Sequence, residues 1–134
     1  MDLYNGEIIA YTIGTTQDTL FVLDTLNQVE GILSEAILHS VQRSVYTSYE
    51  YQKQVKEKGI TMSMSRKGTP ADNSPLETFH YSLKSETFYL NVIHSTTNAC
   101  VIRIVEKYIN YYNNIRIQTK LNNQSPVQYR QLAV

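Results

Sequence analysis

The sequence is poor in the features that mark secreted, fibrous and membrane-spanning proteins. Cys100 is the only cysteine, which excludes an internal disulfide and favours a reducing compartment. Five glycines and three prolines in 134 residues exclude a collagen-like or Pro/Gly-rich chain. No apolar run approaches the roughly 18 residues of a membrane span, and the start lacks the pattern of a signal peptide. These absences predict a globular, cytoplasmic protein without a membrane segment.

Basic residues are missing from the first 42 positions, which hold six of the 12 acidic residues. All 12 lysines and arginines follow, starting at Arg43, together with the other six acids. The chain is therefore neutral overall, negative before residue 43 and positive after it. A basic C-terminal two-thirds can follow a phosphate backbone, although an ordinary solvated surface is the commoner origin of such a pattern.

The first turn signal is Asn5-Gly6, the strongest short indicator of a β-hairpin. It predicts a type I′ turn, which needs positive φ at both central residues. The second arm, 7–13, is rich in β-forming residues, whereas only four residues precede the turn. This asymmetry predicts that the chain begins partway through a strand.

A helix and a buried strand are predicted next. Apolar residues recur at helical spacing from Leu20 to about Val29, and the apolar run 32–40 is typical of a buried strand. Val41 follows the end of this strand directly. Farther on, Thr47-Ser48-Tyr49-Glu50 has the pattern of a capping box, which predicts Thr47 as the N-cap of a helix.

This capped helix is predicted to run over 48–58, because Gly59 supplies a left-handed residue after its end. Alternating apolar and polar residues over 60–64 then predict a strand. A second capping box, Ser74-Pro75-Leu76-Glu77, predicts a helix over 75–89 with proline at its first position.

The last long helix is predicted from apolar residues spaced between Val101 and Tyr112, and Asn113-Asn114 ends it. Helices alternate with strands at first and then dominate. The predicted class is therefore α/β, as a single domain over 1–134. It divides into a strand and helix core, 1–94, and a C-terminal helical segment, 95–134.

Three ordered segments closely resemble motifs of the DDE transposases of insertion sequences, whose catalytic core is like that of retroviral integrases. They are His39–Ser48, Ser65–His80 and Tyr111–Arg116, followed by Leu121, Ser125-Pro126 and Tyr129-Arg130. The resemblance covers practically the whole chain in the family's order. It implies an RNase H-like fold, here truncated at the N-terminus and without the first strand.

The resemblance also assigns the catalytic positions. The family's first aspartate lies on that first strand, and its second follows His-Ser, where this chain has Val41. Its glutamate matches Glu77, and the 35 residues between Val41 and Glu77 are the family's spacing. Arg43 stands where the family usually has glycine. The resemblance therefore does not imply that this chain keeps the family's tight turn, which aims the aspartate.

Transposases of this family are expected to use two Mg²⁺ ions, about 4 Å apart, to cleave and join DNA. Several carboxylates must converge on such a pair, and valine offers no oxygen ligand. Glu77 could serve as a metal ligand only if other acids were supplied; alone, it also fits a structural role in its capping box. The sequence therefore predicts no strand transfer by this chain unaided.

DNA at transposon ends and targets, and other transposase subunits, are the partners that the resemblance implies. Six residues are predicted to contact DNA: Arg66, Lys67, Asn73, Lys84, Arg116 and Lys120. Lys84 lies two helical turns after Glu77 and hence on its face. Tyr108, Tyr111 and Tyr112 have the spacing of core residues rather than of a base-stacking site. No zinc-binding spacing is present.

Three functional hypotheses remain open from the sequence. The favoured one is an inactive relic that keeps part of the family fold and some DNA affinity, and that is poorly stable alone. In the second, an upstream polypeptide supplies the first strand and its aspartate, against which Val41 argues. In the third, the chain is a non-enzymatic partner that binds and inhibits intact transposase.

Overall fold

A computed structural model describes residues 1–29, 35–89 and 97–132. The chain divides into two units, of which one is Ala10–Ser74 and the other joins Met1–Ile9 to Pro75–Val134. The boundary predicted between 94 and 95 lies outside the described residues.

The unit Ala10–Ser74 carries the described strands. In chain order it contains α1 (Thr19–Asn27), β1 (Ile37–Ser40), α2 (Ser44–Thr47), α3 (Tyr49–Glu57), β2 (Thr61–Met64) and a 3₁₀ turn, Pro70–Asn73. The prediction of α1 is confirmed, and its N-cap is Asp18, whose carboxylate accepts the amide of Phe21 at 2.9 Å. That bond satisfies one of the four amides that a helix start leaves without a partner.

Strands β1 and β2 are parallel, with Ile37 opposite Thr61 and Ser40 opposite Met64. Parallel neighbours need a crossover connection, and α2 and α3 supply it. Both strands lie within the stretches predicted for them. Residues 32–34 of the first prediction lie outside the described residues.

The core of this unit consists of Leu26, Tyr51 and Val55, with Val55 0% exposed. Half-buried apolar residues from α1, both strands and the helical crossover pack around them: Val22, Leu23, Leu38, Tyr46, Ile60 and Met62. Burial of Tyr51 and Val55 packs α3 against Ile60 and Met62, and the Tyr46 and Tyr51 rings, 5.3 Å apart, join α2 to α3. The carboxyl ends of both strands are thereby positioned.

The predicted N-cap of α3 is wrong by one residue. Ser48 is the N-cap, and its hydroxyl accepts the amide of Tyr51. Thr47 is instead the last residue of α2, where its hydroxyl donates to the carbonyls of Arg43 and Ser44. Thr47 therefore belongs to the short helix α2, which was not predicted, and not to the start of α3. At the other end, Gly59 has φ +73°, as predicted.

The second unit is helical after its N-terminal loop, Met1–Ile9, in the residues that the structure describes. It contains α4 (Ser74–Leu83), a π-helical turn (Lys84–Phe88), α5 (Asn98–Asn114), a 3₁₀ turn (Thr119–Leu121) and α6 (Pro126–Leu132). The first residue of α4, Ser74, is assigned to the other unit. The core of the second unit is built from Ile8, Phe79, Tyr108, Ile109 and Tyr112, and the Phe79 ring meets that of Tyr112 edge-on at 4.9 Å. This aromatic cluster joins α4 to α5.

The start of α4 differs from the predicted capping box. An N-cap has extended backbone, whereas Ser74 is helical with φ −55° and ψ −34°. The 3₁₀ turn Pro70–Asn73 leads straight into the helix, which therefore begins at Ser74 rather than Pro75. The predicted far end near Tyr89 is reached through the π-helical turn, and the end of α5 at Asn114 agrees with the prediction.

The N-terminal hairpin is corrected in two respects. Only Gly6 has positive φ there, at +77°, so the turn is not type I′; two backbone bonds between Asp2 and residues 6 and 7 close a wider loop. Within 7–13, which are all described, no strand forms. At Ile8, the side-chain amide of Asn113 takes both backbone groups: its Nδ2 donates to the Ile8 carbonyl at 3.0 Å, and its Oδ1 accepts the Ile8 amide at 2.9 Å.

Candidate functional site

Val41 lies immediately after β1, at the carboxyl end of the parallel pair. The amide of Ser65 donates to the Ser40 carbonyl at 2.9 Å, so the ladder continues to the residue before Val41. The Val41 carbonyl accepts the amide of Arg43 at 3.0 Å, which turns the chain toward α2. The half-buried side chain at this position is aliphatic and can bind neither a metal ion nor a water molecule.

His39 braces the same edge, a role that sequence reasoning missed. Its Nδ1 lies 3.0 Å from the Ser63 hydroxyl and its Nε2 lies 3.0 Å from the Ser65 hydroxyl. One imidazole thus links β1 to the two serines that flank Met64, the residue paired with Ser40 at the end of the ladder. The pairing register puts His39 opposite Ser63, but only the tertiary pairing could reveal it.

Arg66 and Asp72 form an ion pair in the loop after β2. The Arg66 Nη2 lies 3.3 Å from Asp72 Oδ1, while its Nε and its backbone amide lie 3.3 Å and 3.1 Å from Oδ2. Hydrogen bonds from the Arg66 side chain are the largest cause of the lowered pKa of Asp72. Of the other predicted DNA contacts in this loop, Lys67 is exposed and Asn73 is half-buried.

The predicted shared face joins Glu77 on α4 to Lys84, the first residue of the π-helical turn that continues this helix. Both are exposed, and both act electrostatically on His80 between them. Loss of hydration is the largest cause of the lowered pKa of His80; Glu77 opposes that shift and Lys84 adds to it. The face thus combines one carboxylate, one lysine and one imidazole whose lowered pKa favours its neutral form.

Arg116, predicted to contact DNA, is engaged within the unit. Its Nη2 and Nε lie 2.6 Å and 3.0 Å from Glu86 Oε1 in the π-helical turn, and its guanidinium lies 5.7 Å from the centre of the Tyr112 ring. The Tyr108 hydroxyl donates to Glu86 Oε2 at 3.0 Å. The Arg116 bond is the largest cause of the lowered pKa of Glu86. A DNA contact by Arg116 stays a prediction.

Replacing Glu86 with glutamine is expected to destabilise the chain by about 1 kcal/mol at neutral pH, the upper end for partly exposed pairs. The folded pKa of Glu86 is lowered, so the pair stabilises above the unfolded-state value, and this stabilisation is lost as pH falls through the lowered pKa. Urea unfolding at neutral and acidic pH measures the difference. Glu106→Gln, at an exposed site on α5, is the control; equal effects of both variants at neutral pH would contradict this assignment.

The remaining predicted residues lie in the same unit as Arg116. Lys120 is exposed on its 3₁₀ turn, near Gly6. Tyr108 and Tyr112 are buried in the aromatic core, which confirms core packing over base stacking for both, whereas Tyr111 is exposed. Tyr108 and Tyr112 therefore pack α5 into the core, while the core position predicted for Tyr111 is wrong, because its ring lies on the solvent side of the helix.

A magnesium pair does not fit the residues at hand. Val41 has no ligand atom, and among residues 1–29, 35–89 and 97–132 no group of three or more His, Cys, Asp or Glu could hold a metal ion. His94 lies outside these ranges. In the same part of the chain, no helix combines the length and apolarity of a bilayer crossing.

Known proteins resemble this chain in sequence. Two family models described as integrase core domains match it, one over residues 1–70 and the other over 77–133. A putative transposase InsK for insertion sequence element IS150, from Escherichia coli K12, is 37% identical over 97% of this chain and 46% of its own length. An uncharacterized transposase-like protein from Haemophilus influenzae is 39% identical over 96% of this chain and 60% of its own.

The fold has a solved counterpart as well. The catalytic core domain of BIV integrase matches 96% of this chain and 81% of its own, with a TM-score of 0.68 at 20% identity. This similarity confirms the predicted integrase-type, RNase H-like fold. The chain spans about half the length of the curated relatives that it matches. Together, the match of one family model to residues 1–70 and of the other to 77–133 shows that the chain belongs to the integrase core domain family.

Proposed function

We propose that this chain is an insertion-sequence transposase core that binds DNA but does not carry out strand transfer. The observation that carries the proposal is Val41 at the carboxyl end of β1, where the family resemblance expects an aspartate. The spacing to Glu77 is intact, so the scaffold is retained while a ligand is replaced.

The loss follows from the chemistry that strand transfer needs. Two divalent ions close together repel each other, and only converging anionic oxygens hold both. The neighbours of Val41 do not replace the carboxylate, because Ser40, Gln42 and Ser44 are neutral. Glu77 is then a remnant of the family site, exposed in the first turn of α4.

Retained DNA binding is supported by the exposed cations of the described residues. Lys67, Lys84 and Lys120 are exposed, and the Arg66 side chain is 81% exposed. Such residues neutralise phosphates without reading base edges, so binding should be largely independent of sequence. Asn73 can add a neutral hydrogen bond to the backbone of DNA.

The test measures binding and joining on one labelled duplex that ends in a terminal repeat. In the presence of Mg²⁺, we expect the purified chain to bind the duplex with steep salt dependence and to form no strand-transfer product. Lys84→Gln should reduce the slope of log affinity against log salt by about 0.9, the value for one phosphate contact on duplex DNA.

Lys53→Gln is the matched control for charge, because Lys53 pairs with Glu57 on the exposed side of α3. Its slope should stay that of the unchanged protein. Two results would refute the proposal: joined product formed by the unaided chain, or no DNA binding even at low salt.

A further inference from the structure

We propose that Asp72 is an internal phosphate mimic that occupies the guanidinium of Arg66 until DNA displaces it, so that Asp72 limits the DNA affinity of this chain. The inference rests on the proposed DNA binding. It concerns Asp72, an acid to which the sequence assigns no role. In the loop between β2 and α4, Asp72 would compete with DNA phosphates for Arg66.

The geometry of the pair is that of anion recognition. Nε and Nη2 of Arg66 donate to different oxygens of Asp72, both at 3.3 Å. This two-pronged arrangement is the one by which an arginine grips a carboxylate or a phosphate. While Asp72 is in place, the same two donors are not available to a DNA phosphate.

Exposure makes displacement feasible. The Arg66 side chain is 81% exposed, whereas that of Asp72 is 25% exposed. A phosphate can therefore reach the guanidinium from solvent without opening the core around Val55. Ion pairs exposed to this degree are weakly held, because water and salt compete with them. A polyanion that brings several phosphates at once is a suitable competitor.

The two roles of Asp72 can be separated chemically. Besides the guanidinium, Asp72 Oδ2 accepts the backbone amide of Arg66 at 3.1 Å, which shapes the loop. Asparagine keeps one amide-accepting oxygen but carries no charge. Asp72→Asn thus preserves the acceptor for the backbone while it weakens the hold on the guanidinium.

The experiment compares Asp72→Asn with Asp24→Asn, which makes the same charge change at an exposed site on α1. Affinity for a random-sequence duplex is measured over a series of KCl concentrations. At low salt we expect Asp72→Asn to bind about three- to fivefold more tightly than Asp24→Asn, because a DNA phosphate no longer has to displace a carboxylate from Arg66. Circular dichroism of both variants verifies that the fold is kept.

A double-mutant cycle assigns the gain to Arg66. In the Arg66→Gln background, Asp72→Asn should bind no more tightly than Asp24→Asn does, since the released donor is gone. If all single variants bind DNA and Asp72→Asn behaves like Asp24→Asn, or if its gain persists without Arg66, the inference is wrong while the proposed DNA binding stands. If the unchanged chain and every variant fail to bind, both are wrong.

Discussion

Strand transfer by a chimaeric transposase is expected to rise by on the order of a thousandfold when Val41 is replaced with aspartate. In the chimaera, this chain takes the place of the matching part of the Escherichia coli relative, which aligns with 97% of it. With Val41 in place, joined product should stay at background. The measurement is the rate at which labelled donor ends join a plasmid in the presence of Mg²⁺.

The reason for so large an effect is that the substitution supplies a ligand rather than adjusting one. Aspartate at the end of β1 would add an anionic oxygen at the position that the family resemblance assigns to a metal ligand. Because the family resemblance expects glycine where this chain has Arg43, Val41→Asp combined with Arg43→Gly should be at least as active as Val41→Asp alone.

Two controls separate ligand chemistry from packing. Val41→Asn has the shape of the aspartate variant without its charge and should remain at background. Glu77→Gln should remove the gain of Val41→Asp, since the resemblance makes Glu77 the acid that acts with it. A chimaera that joins DNA with Val41 intact would show that the valine does not inactivate the core.

Replacing Asn5 with aspartate is expected to lower the free energy of unfolding by about 3–5 kcal/mol at neutral pH. Asn5 is 0% exposed, and its Nδ2 donates to Glu7 Oε2 at 3.1 Å and to the Pro126 carbonyl at 3.0 Å. Aspartate would put a carboxylate against these two acceptors and remove both donors. Glu7 also pairs with Arg130 at 3.3 Å, so the network ties the N-terminal loop to α6.

Urea unfolding followed by circular dichroism measures this loss, which is a large share of the roughly 5–15 kcal/mol available to a domain. Asn5→Ala should cost less, about 2–3 kcal/mol, because it leaves groups unpaired without adding charge. Asn98→Asp, exposed at the start of α5, should be neutral or slightly stabilising. If Asn5→Asp unfolds at the same urea concentration as Asn98→Asp, the network does not hold the N-terminus.

Local features were predictable where the physical cause is local. The spacing of apolar residues located α1 and α5, and the left-handed Gly59 located the end of α3, because periodicity and φ preference act within a few residues. The position of Val41 after a strand followed in the same way. Capping was less certain, since Thr47 and Ser48 are adjacent and a preceding turn decided between them.

Contacts between distant residues were not predictable from the chain order. Asn113 lies 105 residues from Ile8, yet its side-chain amide binds the backbone N–H and carbonyl of Ile8, which lies in the predicted strand 7–13. The ion pair of Arg116 with Glu86, and the Tyr112 ring beside its guanidinium, likewise depend on contacts that residue order does not show. A basic side chain reveals its charge in sequence but not whether an acid already holds it.

The sequence by itself determined the family, the α/β class, the valine at the position where the family resemblance expects an aspartate, and its spacing to Glu77, because these depend on residue identity and short-range order. Tertiary structure alone decided which polar groups are occupied: Asn5, His39, Arg66 and Arg116 each have partners that come from another element or a later turn. Hydrogen bonds and ion pairs form where folding brings groups within about 3 Å, and that proximity is a property of the packed chain rather than of residue order.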